Sequence, residues 1–281
     1  MATFFRRRHE AVDFEAIEAM FPPPPEYFET AWFDPPERTA ALQLARLRER
    51  ALAAYEVPFF RRRWDDAGVH PRDISSLEDL WKFPYYGVDD IRQSIDDNPP
   101  WGDYQGVTPD MARREPMRVY MSGGTTGKSR PTFYTAWDRA VQGVMNARAL
   151  YMQGVRPGDV VLNSWAYGLH NGAFCFDEAV YEWLNCVVIT AGTGNVTSSE
   201  RQVQLAVQYG ASAILTTGDY LLRLADVARE LGYDPGKDLQ LKALPNIGDR
   251  DALVGLFGGE YYRTYGFHEV GTVAVECSAH D

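Results

Sequence analysis

Tyr120-Met121-Ser122-Gly123-Gly124-Thr125-Thr126-Gly127-Lys128-Ser129 is the stretch that decides the fold. Between Ser122 and Lys128 stand three glycines, three hydroxyls and a lysine, directly behind a short apolar run. Glycine tolerates positive φ and brings no Cβ, so such a loop can turn several backbone N–H groups toward one point. The hydroxyls add donors and the ammonium adds positive charge. The combination suits a polyphosphate, and Ser122, Gly123, Gly124, Thr125, Thr126, Gly127 and Lys128 are its candidate ligands.

The flanks separate two forms of such a site. A Walker-type P-loop needs a glycine where Ser122 stands, and it opens straight into a helix. Here Arg130-Pro131-Thr132-Phe133-Tyr134-Thr135 follows, which reads as a strand with proline at its start. A helix is expected only from about Asp138. The loop therefore lies between two strands, which disfavours a P-loop NTPase. A Gly/Thr hairpin with no ligand is the bland alternative.

Ser-Gly-Gly-Thr-Thr-Gly-Lys between two strands resembles the phosphate-binding signature of the adenylate-forming enzymes: acyl-CoA synthetases, peptide-synthetase adenylation domains and luciferases. This chain carries an extra Ser129-Arg130 before the usual Pro-Thr. Tyr265-Gly266-Phe267-His268-Glu269 is similar to the family's second signature, Tyr-Gly-x-Thr-Glu, and the order is the expected one. Ser75-Ser76-Leu77-Glu78-Asp79-Leu80-Trp81-Lys82-Phe83-Pro84, Gln202-Val203-Gln204-Leu205 and Val275-Glu276-Cys277 resemble the phenylacetate–CoA ligase branch. The resemblance runs from about Trp32 to the last residue. It implies an acid–thiol ligase that takes ATP, Mg²⁺, an aryl carboxylic acid and CoA, with a place in aromatic acid catabolism. A binding module without turnover remains the other reading.

Composition sets the outer limits. The 281 residues carry 45% hydrophobic residues and a net charge of −11, which predicts a soluble chain with a sizeable core. The acidic balance argues against a nucleic-acid partner. Arg6-Arg7-Arg8 and Arg61-Arg62-Arg63 are the basic clusters, read as solvated patches. Lys128 and Arg130 supply the local positive focus that an anionic nucleotide needs. No apolar run reaches the roughly 18–20 residues that span a bilayer, so no membrane partner is expected. The N-terminus lacks the apolar segment of a secretory signal. Three cysteines without a pairing pattern suit a reducing cytoplasm. A homodimer is left open.

The pattern along the chain predicts an α/β fold of layered, parallel-rich sheets flanked by helices, after an N-terminal helical segment. The division expected is 1–100, helical with a Pro-rich connector at Phe21-Pro22-Pro23-Pro24-Pro25, and 101–281, the nucleotide-binding α/β domain. Pro35-Pro36-Glu37 opens a helix with Leu42, Leu44, Leu47, Ala51 and Leu52 as its apolar stripe. A second helical piece covers about Phe59 to Ala67. Ser75 and Glu78 offer a capping box for a short helix ending before Pro84. Strands are expected at Met117–Met121, Thr132–Tyr134, Val160–Leu162, Cys186–Ile189 and Ala213–Leu215. Helices are expected at Asp138–Gln153, Phe174–Leu184, Ser199–Tyr209, Tyr220–Leu231 and Ala252–Leu256.

Under the resemblance, Ser122–Lys128 holds the β- and γ-phosphates. Glu269 is the Mg²⁺ ligand, in keeping with a cation that uses one or two carboxylates beside substrate phosphates. His268 stands where the family has a threonine that meets the α-phosphate, and its ring can donate an N–H or a positive charge there. Tyr265 flanks the adenine, and Gly266 beside it is a further nucleotide-binding candidate. Asn246 and Gly248, in Pro245-Asn246-Ile247-Gly248-Asp249, match the adenine loop loosely. Asn163-Ser164-Trp165-Ala166-Tyr167-Gly168-Leu169-His170-Asn171-Gly172 is similar to the acyl-pocket loop. Trp165, Tyr167 and His170 are its candidate walls for an aryl acid, and Gly192 in Ala191-Gly192-Thr193-Gly194 is a candidate to close it. Cys277 and His280 stand three residues apart. Zinc needs about four ligands and no second pair lies nearby, so the pair reads as idle, with zinc as the alternative.

The family's remaining parts are a ribose-binding aspartate, a hinge and a C-terminal domain with a lysine. Their sequences lie beyond Asp281 in the family order. The expectation is therefore a portion of a longer ligase, or one completed by another chain, and a poor catalyst alone.

Overall fold

In the computed structural model, residues 7–122, 129–244 and 248–277 are described. They fall into two compact units, one built from residues 1–11 and 29–135, the other from 12–28 and 136–281.

The first unit is mostly helical. Pro36–Tyr55 forms its longest helix, entered through proline at the first turn. Ala51 is buried with Trp64, Ile74 and Phe83, and Leu44, Leu47 and Ala54 pack against them. These positions recur every three or four residues and share one face. Leu42 and Leu52 fall off that face and are exposed, which narrows the expected stripe. The next helix is Pro58–Asp66. The expected capping box is present but shifted by one residue: Ser76 starts the short 3₁₀ turn Leu77–Lys82, and the acid is Asp79. Asp79 Oδ2 accepts from the backbone N–H of Ser75 (2.7 Å), the Ser75 hydroxyl (2.7 Å) and the backbone N–H of Ser76 (2.8 Å). Its other oxygen meets Lys82 Nζ at 2.6 Å. Glu78 is one position too early for this geometry.

The unit ends in two antiparallel strands, β1 (Met117–Met121) and β2 (Pro131–Thr135), with Met121 opposite Pro131. Ser122 clasps the start of the connection. Its N–H donates to the Arg130 carbonyl at 3.0 Å, and its Oγ accepts from the Arg130 N–H at 3.1 Å. A strand follows the glycine loop, so the Walker arrangement, which requires a helix there, is not formed.

The second unit is a five-stranded parallel sheet in the order β4-β3-β5-β6-β7. Its strands are β3 (Val160–Asn163), β4 (Val187–Thr190), β5 (Ala213–Leu215), β6 (Ala243–Leu244) and β7 (Glu260–Tyr261). Successive side chains leave opposite faces of a strand, and the core obeys that rule. Val161 and Ala213 enter a cluster with Ala147, Leu150, Ala179, Val180 and Leu184. Their neighbours Leu162 and Ile214 enter another with Val203, Leu221, Leu224 and Leu253. Helices thus cover both faces, as parallel strands require.

Helix ends follow local chemistry. Ser198 caps Ser199–Tyr209 by accepting the Arg201 N–H at 3.3 Å, and Gly210 closes it in the left-handed region. Gly218–Glu230 starts at Thr217, and Arg250–Phe257 starts at Asp249. The expected Phe174–Leu184 helix is Gly172–Glu178 continued by wider turns over Ala179–Trp183.

The polyproline stretch does more than connect. Arg148 donates from Nε (2.9 Å) and Nη2 (2.7 Å) to the Pro22 carbonyl, and its guanidinium lies 3.8 Å from the Tyr27 ring centre. Ile17 is fully buried in the same unit; burying such a side chain contributes roughly 1.5–3 kcal/mol. Among the described residues no helix is long and apolar enough to cross a membrane.

Candidate functional site

The chain enters the parallel sheet at β3, crosses to β4 on one side, then returns past β3 to β5 on the other. The connections leaving β3 and β5 therefore run in opposite directions. That switch point leaves a crevice at the carboxyl ends of the strands, where open α/β sheets bind ligands. A cleft of about 650 Å³ opens there.

One wall follows β3. Asn163, its fully buried last residue, donates from Nδ2 to the Ala173 carbonyl at 2.9 Å, and its Oδ1 accepts the Trp165 N–H at 3.2 Å. One side chain thereby clasps both ends of the 164–173 loop. Trp165, Ala166, His170, Gly172, Cys175 and Phe176 line the cleft, with the Trp165 and Phe176 rings 6.3 Å apart. Burial pushes the Cys175 thiol up to about 12, so it faces the cleft as a neutral, inert group. Tyr167 turns away from the cleft. Its hydroxyl donates to Asp177 Oδ1 at 2.8 Å, and burial, helped by Asp177, holds the phenol well above its ordinary range.

Thr193, Thr216, Thr217 and Tyr220 add a second, more polar side. Gly192 supports this side without lining it. Its N–H donates to the Asn163 carbonyl at 3.0 Å, and its carbonyl accepts Gln202 Nε2 at 3.0 Å. Gln202, fully buried, also donates to the Thr197 carbonyl (2.8 Å) and accepts the Ser164 hydroxyl (2.7 Å). It staples the loops that leave β3 and β4.

The third side is the hairpin of β8 (Thr264–Phe267) and β9 (Gly271–Val275). A register shift at Tyr265/Gly266 breaks the simple alternation. Thr264, Gly266, Phe267 and His268 line the cleft, while Tyr265 is exposed and packs near Phe267 at 6.3 Å. Glu269, half-buried, follows in the turn. Among the described residues no group of three His, Cys, Asp or Glu could hold a metal ion. A lone carboxylate fits a magnesium ion that keeps most of its waters and arrives on phosphates.

The cleft thus unites Trp165 and His170 with Gly266 and His268, about a hundred residues later. Gly248 lies elsewhere, at φ +134, where a Cβ would stand 2.8 Å from the Gly218 Cα. Residues 123–128, Asn246 and His280 lie outside the described residues. Sequence reasoning missed Thr216, Thr217, Tyr220 and Phe176. The signal for the threonines was present: hydroxyl residues directly after a short apolar strand at a switch point.

No family model matches the chain. The phenylacetate-coenzyme A ligase of Pseudomonas putida is 36% identical over 219 residues, 78% of this chain and 44% of that protein. That of Aromatoleum evansii is 35% identical over 221 residues, with the same shares. A crystal structure of 2-hydroxyisobutyryl-CoA ligase with 2-HIB-AMP and CoA, in its thioesterification state, superposes at a TM-score of 0.78 and 27% identity, covering 88% of this chain and 53% of that one. The chain belongs to the adenylate-forming enzymes, in their phenylacetate–CoA ligase-like branch. It spans less than half the length of the curated relatives it matches. An adenylate-forming α/β fold with a parallel sheet between helix layers is what the sequence predicts, and the five-stranded sheet carries it.

Proposed function

We propose that this chain carries the acid- and adenylate-binding portion of an ATP-dependent ligase that activates an aryl or aryl-acetic acid and delivers it to CoA. The observation that carries the reading is the shared cleft: the pocket loop (Trp165, Phe176) and the second signature (Gly266, Phe267, His268) line one cavity.

In the first half-reaction a carboxylate oxygen attacks the α-phosphorus of ATP, a bond to that phosphorus forms, and pyrophosphate leaves. In the second, a thiol sulfur attacks the acyl carbon and AMP leaves with the electron pair of the broken C–O bond. Trp165, Phe176 and Phe267 would hold the aryl ring, since offset or edge-on aromatic contacts favour a flat apolar group. A cleft that excludes water also strengthens the charge interactions made inside it. His268 would meet the α-phosphate with a ring N–H, and a protonated ring would add positive charge against two anions brought together. Ser122 to Lys128 would cradle the β- and γ-phosphates. Glu269 would hold the magnesium, which neutralises phosphate charge when bound. Tyr265 and Gly248 would contribute to the adenine end. The same reading takes in a cytoplasmic setting, supported by three cysteines without a disulfide, and admits a homodimer.

Pyrophosphate exchange into ATP across a panel of aryl acids tests this. Exchange that depends on the acid supports the ligase. Nucleotide binding without exchange supports a binding module, favoured by His268 in place of threonine. Phosphate release without any acid would overturn both.

A further inference from the structure

β8 and β9 pair with each other and with no other described strand. A lone two-stranded hairpin is marginal in water, yet this one forms a wall of the cleft and carries His268 and Glu269. Its position must be set by whatever it docks on.

Gln142, Asn146 and Gln153 are spaced four and seven residues apart, which places them on one face of the Ala136–Met152 helix and its last turn. Asn146 is 1% exposed. Its Oδ1 accepts the Thr272 hydroxyl at 2.7 Å, and its Nδ2 donates to the Gln142 carbonyl at 2.9 Å. Gln153 Nε2 donates to Thr264 Oγ1 at 3.1 Å. Gly271, at φ +84, lies so close that a Cβ there would stand 2.5 Å from Gln142 Nε2. Thr264, Gly271 and Thr272 all line the cleft. On the opposite side, Gln142 Oε1 accepts the Asn171 amide at 2.8 Å, and Asn171 lines the facing wall.

We propose that this polar stripe, buried at Gln142 and Asn146, is the rail that positions the β8–β9 hairpin, and that Asn146 is the positioning residue that sets where Phe267 and His268 meet the ligand. The consequence for turnover rests on the ligase reading above; the docking does not. A buried amide is suited to the task because its directed bonds specify one register, where an apolar face would permit sliding.

Three variants test it: Thr272→Val, which removes the hydroxyl and keeps the shape; Thr272→Ser, which keeps the hydroxyl; and Asn146→Leu, which never touches the cleft. Hydrogen exchange followed by mass spectrometry reads protection in residues 264–277 against that in 199–230. Thr272→Val and Asn146→Leu are each expected to speed hairpin exchange about tenfold, the worth of one buried hydrogen bond. Thr272→Ser should leave it near wild type, and Thr272→Val combined with Asn146→Leu should be no worse than either single variant. In pyrophosphate exchange, kcat should fall by a similar factor in both single variants, with KM for ATP held. Unchanged hairpin protection in Thr272→Val, or protection lost equally in 199–230, would overturn the proposal. Should Asn146→Leu fail to fold, the Val and Ser pair decides alone. A folded wild-type chain that binds neither nucleotide nor aryl acid would count against the ligase reading, while the protection pattern would still decide the docking.

Discussion

At the scale of single residues, two buried or half-buried polar groups do more than their types suggest. Gln202 makes three hydrogen bonds from a fully buried position, so Gln202→Leu strands a hydroxyl and two carbonyls. The expected loss is about 2–4 kcal/mol in chemical denaturation, with a looser cleft wall because Ser164, Gly192 and Thr197 lose their shared partner. Asp79 works by charge. The Lys82 ammonium, the Ser75 hydroxyl and two backbone N–H groups hold its carboxyl well below the usual carboxylate range. A depressed carboxylate stabilises the fold above its unfolded value, near 4, and the contribution disappears as pH falls through the folded one. Thermal melts of Asp79→Asn should therefore trail wild type at neutral pH, and the gap should close below about pH 4. A gap that stays constant with pH would contradict the charge role. The site residues were legible to different degrees. Trp165 and His268 could be named from the resemblance of their motifs to the family's, whereas Tyr167 could not be told from a wall residue until Asp177 showed where its hydroxyl points.

At the scale of elements, strands and helices were readable because apolar runs and caps report burial and chain ends directly. The alternation of Val161 and Leu162 between two clusters is the periodicity one expects of a strand covered on both faces. The Ala136–Met152 helix was harder. Arg139, Gln142 and Asn146 look in sequence like an ordinary solvated face, and the structure buries all three. Periodicity distinguishes two faces of a helix and cannot say that a polar face is enclosed. Arg139 shows what enclosure requires: Nη2 lies 2.9 Å from Glu178 Oε2, Nε donates to Glu178 Oε1 at 3.2 Å, and Nη1 donates to Gln142 Oε1 at 2.7 Å and to Asn171. Arg139→Met would leave the Glu178 carboxylate buried without its cation, at a cost of about 3–5 kcal/mol. Denaturation of the Arg139→Met, Glu178→Leu pair should recover most of that loss. A double variant as unstable as the single one would show that the pair's shape, and not its charge, is what matters.

At the scale of the molecule, the cleft is built wholly within the second unit. The cleft's place follows from topology: reversal of strand order between β3 and β5 opens a crevice, and the loops after those strands supply its walls. The sequence could announce the strands but not their order, since order depends on long-range pairing that no local pattern records. In the proposed function this cleft takes the acyl-adenylate of an aryl acid. Calorimetric titration with a non-hydrolysable aryl-acetyl adenylate analogue measures it directly, in wild type and in Ala166→Trp, whose larger side chain would fill the cleft from a half-buried loop position. Binding in wild type that weakens at least tenfold in Ala166→Trp, with the unfolding midpoint unchanged, is the predicted result. Equal binding by both proteins, or none by a folded wild type, would contradict it.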